Sequence, residues 1–304
     1  MSRKMHIRIG NQSAFSASTV TQPFEYAVAN GFDAFEWFPD KRESGAGWTE
    51  SDISKDQRAF IKKTVLAHDI RLSVHAPWQA NPLRPESRDI FLKDIEFAQD
   101  INASLINIHL YTDEGIASYV QAIIPLMKDL AKAGIKLSIE NTPITRPQDF
   151  NELFRQLLVL NLTDTAHVGM CLDLGHANLC EATLNDYLKF IDLLDSQVPI
   201  IHIHLHENYG DYDSHLPLFT GPAGKDDSGI KGFVERMKRR DFSGCIIFEQ
   251  WPEPPGLLND ARNRLLKIIS ISERPAIEPN MAPGNDFVNM IARADQKCRS
   301  WIAL

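Results

Sequence analysis

The chain has 304 residues, 43% of them hydrophobic and 24% charged, with a formal charge of −8. That composition is ordinary for a globular protein and allows one large core without disulfide staples. No apolar run is long enough for a transmembrane helix, and the net acidity argues against a large polyanionic partner.

The start, MSRKMHIRIG, passes from two basic residues straight into a strand-like segment, without the apolar stretch or cleavage site of a secretory signal. Short β-branched or aromatic runs then alternate with amphipathic stretches, which predicts eight strands: His6–Gly10, Ala34–Trp37, Arg71–His75, Leu105–His109, Lys136–Glu140, Val168–Asp173, Ile200–His204 and Cys245–Glu249. Ser54 with Gln57 makes a capping box ahead of a helix over Arg58–Ala67. Pro147 suits the first turn of a helix over Gln148–Leu160, and Thr183 is placed to cap one over Asn185–Leu194. Gly31 and Gly134 sit where a helix stops before the next strand. Near-continuous apolar strands such as LINIH and CIIFE indicate a parallel sheet covered on both faces, and eight βα units close most simply into an α/β (β/α)8 TIM barrel. The competing open sheet lacks its usual Gly-rich loop after the first strand. The barrel is assigned to residues 1–273, with 274–304 as a C-terminal extension helix and not an independent domain. In that extension Phe287, Met290, Ile291, Ala294, Cys298 and Trp301 share one apolar face, which must be buried on the barrel wall or, as expected here, on another subunit in a homodimer or higher homo-oligomer.

The strand ends repeat one chemistry. Glu36, His75, His109, Glu140, Asp173, His204 and Glu249 close seven successive strands, and side chains at the carboxyl ends of parallel barrel strands converge on one mouth. They are His, Asp and Glu only, the ligand set of a divalent metal. A buried ion-pair network would need cations, yet no strand end carries Lys or Arg. Clustered anions without cations call for a metal. Cys171, Cys180, Cys245 and Cys298 stand far apart with no CxxC pair, so a reducing, cytoplasmic compartment is expected.

The blocks SVHAPW, NIHL, LSIENT, CLDLGHAN, HIHLHEN with DSHLPL and GPAG, and IIFEQWP, in this order, resemble those of the xylose isomerase-like barrel superfamily. It includes a sugar-phosphate isomerase/epimerase group and the related endonuclease IV group. The resemblance runs from about His6 to Ile271. It implies one divalent ion (Mn, Zn, Co or Mg) on Glu140, Asp173, His204 and Glu249, with Glu140 and Glu249 also moving the proton. His204 is matched within His-Leu-X-Glu-Asn, while His202 lies on the same strand face. In the endonuclease group, the positions of His75, His109, His176, Asp213 and His215 hold two further zinc ions. Here they are further metal or substrate contacts, so up to three ions are compatible with the sequence.

Three features favour a small polyol over nucleic acid. The long seventh loop, His206–Ser228, carries Glu207, Asp211, Asp213, Asp226 and Asp227 against Lys225, whereas phosphate binding needs several cations. Trp37, Trp48, Trp78 and Trp251 all lie near predicted strand ends, where flat rings suit sugar C–H faces. The loop Tyr111–Gly115 is short and acidic. Glu36, Trp37, Trp78 and Trp251 are therefore expected at the substrate, with orientation of a histidine from behind as the alternative for Glu36. The expected activity is a metal-dependent isomerase or epimerase of a small sugar, sugar acid or polyol through an ene-diolate. The alternatives are a keto-polyol dehydratase on the same site or an endonuclease IV-like zinc phosphodiesterase at abasic DNA. No nucleic-acid or membrane partner is expected.

Overall fold

In the computed structural model, which describes residues 5–42, 44–162 and 167–272, eight parallel strands form a closed barrel in the order of the chain. The strands are β1 (His6–Gln12), β2 (Ala34–Trp37), β3 (Arg71–His75), β4 (Leu105–His109), β5 (Lys136–Glu140), β6 (Val168–Asp173), β7 (Ile200–Leu205) and β8 (Ser243–Phe248). Closure is made by β1 on β8, with His6 opposite Ser243 and Asn11 opposite Phe248. The predicted extension over 274–304, and with it the apolar stripe ending at Trp301, lies outside the described residues.

Alternation along the strands divides the work. Leu72, Val74, Ile106, Ile108, Leu137, Ile139, Leu172, Ile203, Ile246 and Phe248 are buried in the apolar layer beneath the helices. The alternate positions, Ser73, Asn107, Ser138 and His202, are buried polar residues inside the barrel. Those strands are thus less uniformly apolar than a packed barrel requires, and the polar lining supports the groups above it.

The helices start and stop where local chemistry dictates. The helix Lys55–His68 has the full capping box: Gln57 N donates to Ser54 Oγ at 3.3 Å and Ser54 N donates to Gln57 Oε1 at 2.9 Å. Pro147 opens the helix Pro147–Val159, and Gly134 ends Ile116–Ala133 in the left-handed conformation at φ 69°. The expected cap at Thr183 is corrected. Asn185 takes φ 61°, which an α-helix excludes, so the helix is only Tyr187–Asp192 and Asp186 caps it through Lys189 N. No helix among the described residues is long and apolar enough to cross a membrane.

Gly10 shows how tightly the barrel closes. A Cβ there would lie 2.1 Å from the Ala34 carbonyl oxygen on β2, whereas one at Gly256 would meet nothing within 4 Å. Gly10→Ala must force the strands apart and is expected to cost about 1–3 kcal/mol or more. Urea denaturation should show a lowered midpoint for Gly10→Ala and little change for Gly256→Ala; equal midpoints would contradict this closure.

Candidate metal and substrate site

Strand geometry brings the titratable strand ends to one mouth, around a cavity of about 540 Å³ lined by His75, His109, Glu140, His176, Asp213, His215 and Glu249, among others. Glu140 is central. Its Oε2 lies 3.0 Å from His75 Nε2 and 3.3 Å from His204 Nδ1; its Oε1 lies 3.3 Å from His176 Nδ1 and 3.7 Å from His109 Nε2. Glu249 Oε1 is 3.1 Å from His204 Nδ1, and its Oε2 is 3.6 Å from His206 Nε2. Asp173 approaches His206 Nε2 at 3.2 Å and caps its own following helix by accepting from His176 N at 2.7 Å.

The site rests on a hydrogen-bonded floor. Ser138 Oγ donates to Asn107 Oδ1 at 2.7 Å, and Asn107 Nδ2 donates in turn to Glu140 Oε2. Deeper still, Glu36 accepts from Ser73 Oγ at 2.8 Å and from Gln12 Nε2 at 3.0 Å, while its oxygens face His202 and His204 at 2.9 Å each. Glu36 therefore braces histidines beneath the cavity and does not line it, contrary to its expected contact with substrate.

Proton positions follow from the partners. His75 faces the Ala76 carbonyl through Nδ1 at 2.6 Å and Glu140 through Nε2. His176 faces the Asn141 carbonyl through Nδ1 at 2.8 Å and Asp213 through Nε2 at 3.2 Å. Carbonyls and ionised carboxylates only accept, so these contacts favour the doubly protonated, positively charged ring. Burial opposes that charge, yet Glu140 holds His75 above the usual histidine range, and Asp173 with Asp213 holds His176 well above it. His215 is raised to about 9, with burial opposing and Asp213 driving the shift. Burial would push Glu140 up, but His204 and His109 hold it well below the carboxylate range; His204 does the same for Glu249. Asp173 stays raised, because burial and Glu249 outweigh His176 and His206.

Compensation by protonated histidine leaves gaps. Glu140 Oε1, Glu249 Oε2, both ring nitrogens of His204 and His206 Nδ1 are buried without a hydrogen-bond partner. Orphaned buried acceptors beside histidine nitrogens are what a cation would satisfy. Four overlapping groups of side chains in this mouth have ligand atoms within 4.8 Å of one another: His75–Glu140–His204–Glu249, Glu140–Asp173–His176, Asp173–His206–Glu249 and His176–His206–Asp213–His215. The expected four are thus adjacent, although Asp173 joins Glu249 through His206 and not through His204. The match to His-Leu-X-Glu-Asn selects His204 over His206, yet His206 belongs to two of these groups. Its signal was the same-face spacing of His202, His204 and His206, and Gly175 leaves it room, since a Cβ there would lie 2.0 Å from the ring.

The tryptophans divide. Trp78, 61% exposed, and Trp251 line the cavity. Trp37 is fully buried against Trp48 and Phe97, at ring separations of 5.6 and 6.1 Å, so strand alternation turns it away from substrate. Of the seventh-loop acids only Asp213 lines the cavity. Glu207 turns inward, accepting from Ala223 N at 2.7 Å and from Phe219 N, and Asp227 pairs with Lys231 and Arg264.

A family model described as xylose isomerase-like TIM barrel matches residues 24–268. The chain belongs to that family. An uncharacterised protein of Methanocaldococcus jannaschii is 25% identical over 258 residues, 77% of this chain and 80% of its own. A probable endonuclease 4 of Aquifex aeolicus is 24% identical over 263 residues, 78% of this chain and 89% of its own. A solved D-tagatose 3-epimerase-like protein shares the fold with a TM-score of 0.65 at 20% identity, over 88% of this chain and all of that one. Sugar epimerases and endonuclease IV homologues therefore both stand among its structural neighbours, and these are enzymes.

Two outcomes follow. Glu140→Ala and Asp173→Ala should each abolish divalent-metal binding in folded protein; metal analysis finding wild-type content in both would sink the site. Because metal competes with protons that these histidines hold above their ordinary range, affinity should keep rising through neutral pH toward about 9. Competition titration with a metal indicator across that range checks it; a plateau from about pH 7 would contradict the protonated cluster.

Proposed function

We propose that the protein is a metal-dependent isomerase or epimerase of a small sugar, sugar acid or polyol. The observation that carries this reading is the pair Glu140, fully buried, and Glu249, its side chain 6% exposed: two carboxylates held in the ionised form that line one cavity, each with a buried oxygen free of hydrogen bonds. A carboxylate of that kind can take a proton from a substrate carbon, and its counterpart can return one. The cavity's volume suits a small ligand. Glu140, Asp173, His204 and Glu249 would hold one divalent ion, which when bound supplies positive charge to stabilise an oxyanion beside the reacting carbon. His75 and His176 would turn their Nε2 protons from Glu140 and Asp213 to substrate hydroxyls, and Trp78 and Trp251 would cover the C–H faces. The same residues suit loss of water from a keto-polyol, which makes a dehydratase a close variant. Buried, free Cys171, Cys180 and Cys245 agree with a reducing cytoplasm.

An endonuclease IV-like phosphodiesterase is the second reading, favoured by the cluster His176, His206, Asp213 and His215, which offers places for further ions. Against it stands the lining of the cavity, where Arg42 is the one Lys or Arg among the described residues. Duplex recognition depends on several phosphate contacts.

Metal-loaded protein should exchange a substrate C–H with deuterated water when given ketohexoses such as D-tagatose or D-fructose. Glu140→Gln and Glu249→Gln should each reduce that exchange by about 10²–10⁴-fold. NMR detecting no exchange by wild type, together with salt-sensitive binding of duplex DNA carrying an abasic site, would transfer the assignment to the phosphodiesterase.

A further inference from the structure

One carboxylate in the cavity has no part in the site above. Asp40, between β2 and the helix Lys55–His68, lines the same cavity as Glu140 and Glu249. It is only 2% exposed, and its Oδ1 is buried with no hydrogen-bond partner. A buried acceptor without a donor is costly, and one that faces a cavity can be met by a ligand that enters it. Asp94 makes the contrast. Both of its oxygens also lack hydrogen bonds, but it is buried on the helix Ser87–Ile101 beside Glu50 and does not line the cavity.

The segment holds Asp40 firmly. Its N–H donates to the Phe38 carbonyl at 3.0 Å, and its carbonyl accepts from Trp48 N at 3.2 Å. Gly47 packs so closely that a Cβ would lie 2.0 Å from the Asp40 carbonyl oxygen, at a φ of +90° that also favours glycine. Two residues on, the Arg42 guanidinium lies 4.6 Å from the Phe15 ring centre and makes no ion pair or side-chain hydrogen bond with any described residue. Phe15 packs on Phe38 at 6.0 Å, and Phe38 on His75 at 4.5 Å. A carboxylate acceptor and a guanidinium donor therefore share one short segment of the cavity wall, while neither belongs to the grouped metal-ligand candidates. A hydroxyl both donates and accepts, so it can meet both groups; a simple anion would satisfy only Arg42.

We propose that Asp40 is a specificity-determining residue that accepts a hydrogen bond from a hydroxyl of the polyol remote from the carbons exchanging the proton. This rests on the isomerase or epimerase reading and names what that substrate must carry: a hydroxyl beyond the reacting end. Burial holds the Asp40 carboxyl above its ordinary range, and the Gln79 hydrogen bond and the Arg42 charge offset that only in part.

The test compares wild type, Asp40→Asn and Asp40→Ala, all metal-loaded, on a ketohexose and on dihydroxyacetone, a three-carbon ketose with no remote hydroxyl. Asp40→Ala should raise KM for the ketohexose by about tenfold or more, the worth of a hydrogen bond to a charged group, with a smaller change in kcat. Its kinetics on dihydroxyacetone and its metal content should stay those of wild type. Asp40→Asn fills the same volume and keeps an acceptor, so it should fall between the two. Equal losses on both sugars would assign Asp40 to the scaffold and overturn the proposal, as would no loss on either. If wild type exchanges neither sugar, the isomerase reading fails, and direct titration with the ketohexose decides Asp40 separately. Weaker binding by Asp40→Ala than by wild type supports it; equal binding, or none by any variant, overturns it.

Discussion

The mouth of this barrel is organised by burying carboxylates that no lysine or arginine among the described residues neutralises. Glu36, Glu140 and Asp173 are buried and Glu249 nearly so, and isolated charges out of contact with water are costly enough that they must be compensated or protonated. Two kinds of compensation fit the same residues. One is a ring of histidines carrying extra protons, held in place by carbonyls such as those of Ala76 and Asn141. The other is a cation bound by those histidines once the protons leave. The first leaves Glu140 Oε1 and Glu249 Oε2 without hydrogen bonds, and the second would satisfy them.

This double use explains the layering below the cavity. A residue that changes from proton carrier to ligand must keep its ring orientation, and orientation comes from groups that do not themselves touch the metal. Glu36 with Ser73 and Gln12, and Asn107 with Ser138, form that lower shelf. Their placement inside the barrel sacrifices part of its apolar filling, which the strands recover on their outer faces.

Much of this was legible in the sequence, because strand periodicity and strand-end chemistry are local properties. All eight strands appear within two residues of their expected limits, and the capping box at Ser54 depends on only four neighbouring residues. What was missed depends on direction or on distant partners. Trp37 sits beside Glu36 in the chain, but alternation sends the two to opposite faces. The acids of the seventh loop looked like a field around the mouth; most of them fold back to cap backbone amides or pair with Lys231 and Arg264. His206 was visible as the third same-face histidine, yet its role depends on Gly175, in the helix that follows β6, leaving it space. Asp40 had no local signal, since only the assembled cavity shows that its oxygen lacks a partner. Thr183 failed as a cap because the left-handed backbone at Asn185 delays the helix.

The central claim is that these buried groups form a metal centre and not merely an ionic network. Anomalous diffraction from crystals soaked in manganese or zinc addresses it directly. A metal centre predicts a peak among Glu140, Asp173, Glu249 and a β7-side histidine, and its position will decide between His204 and His206. Peaks confined to the surface, with the mouth empty under metal-saturating conditions at mildly alkaline pH, would contradict it.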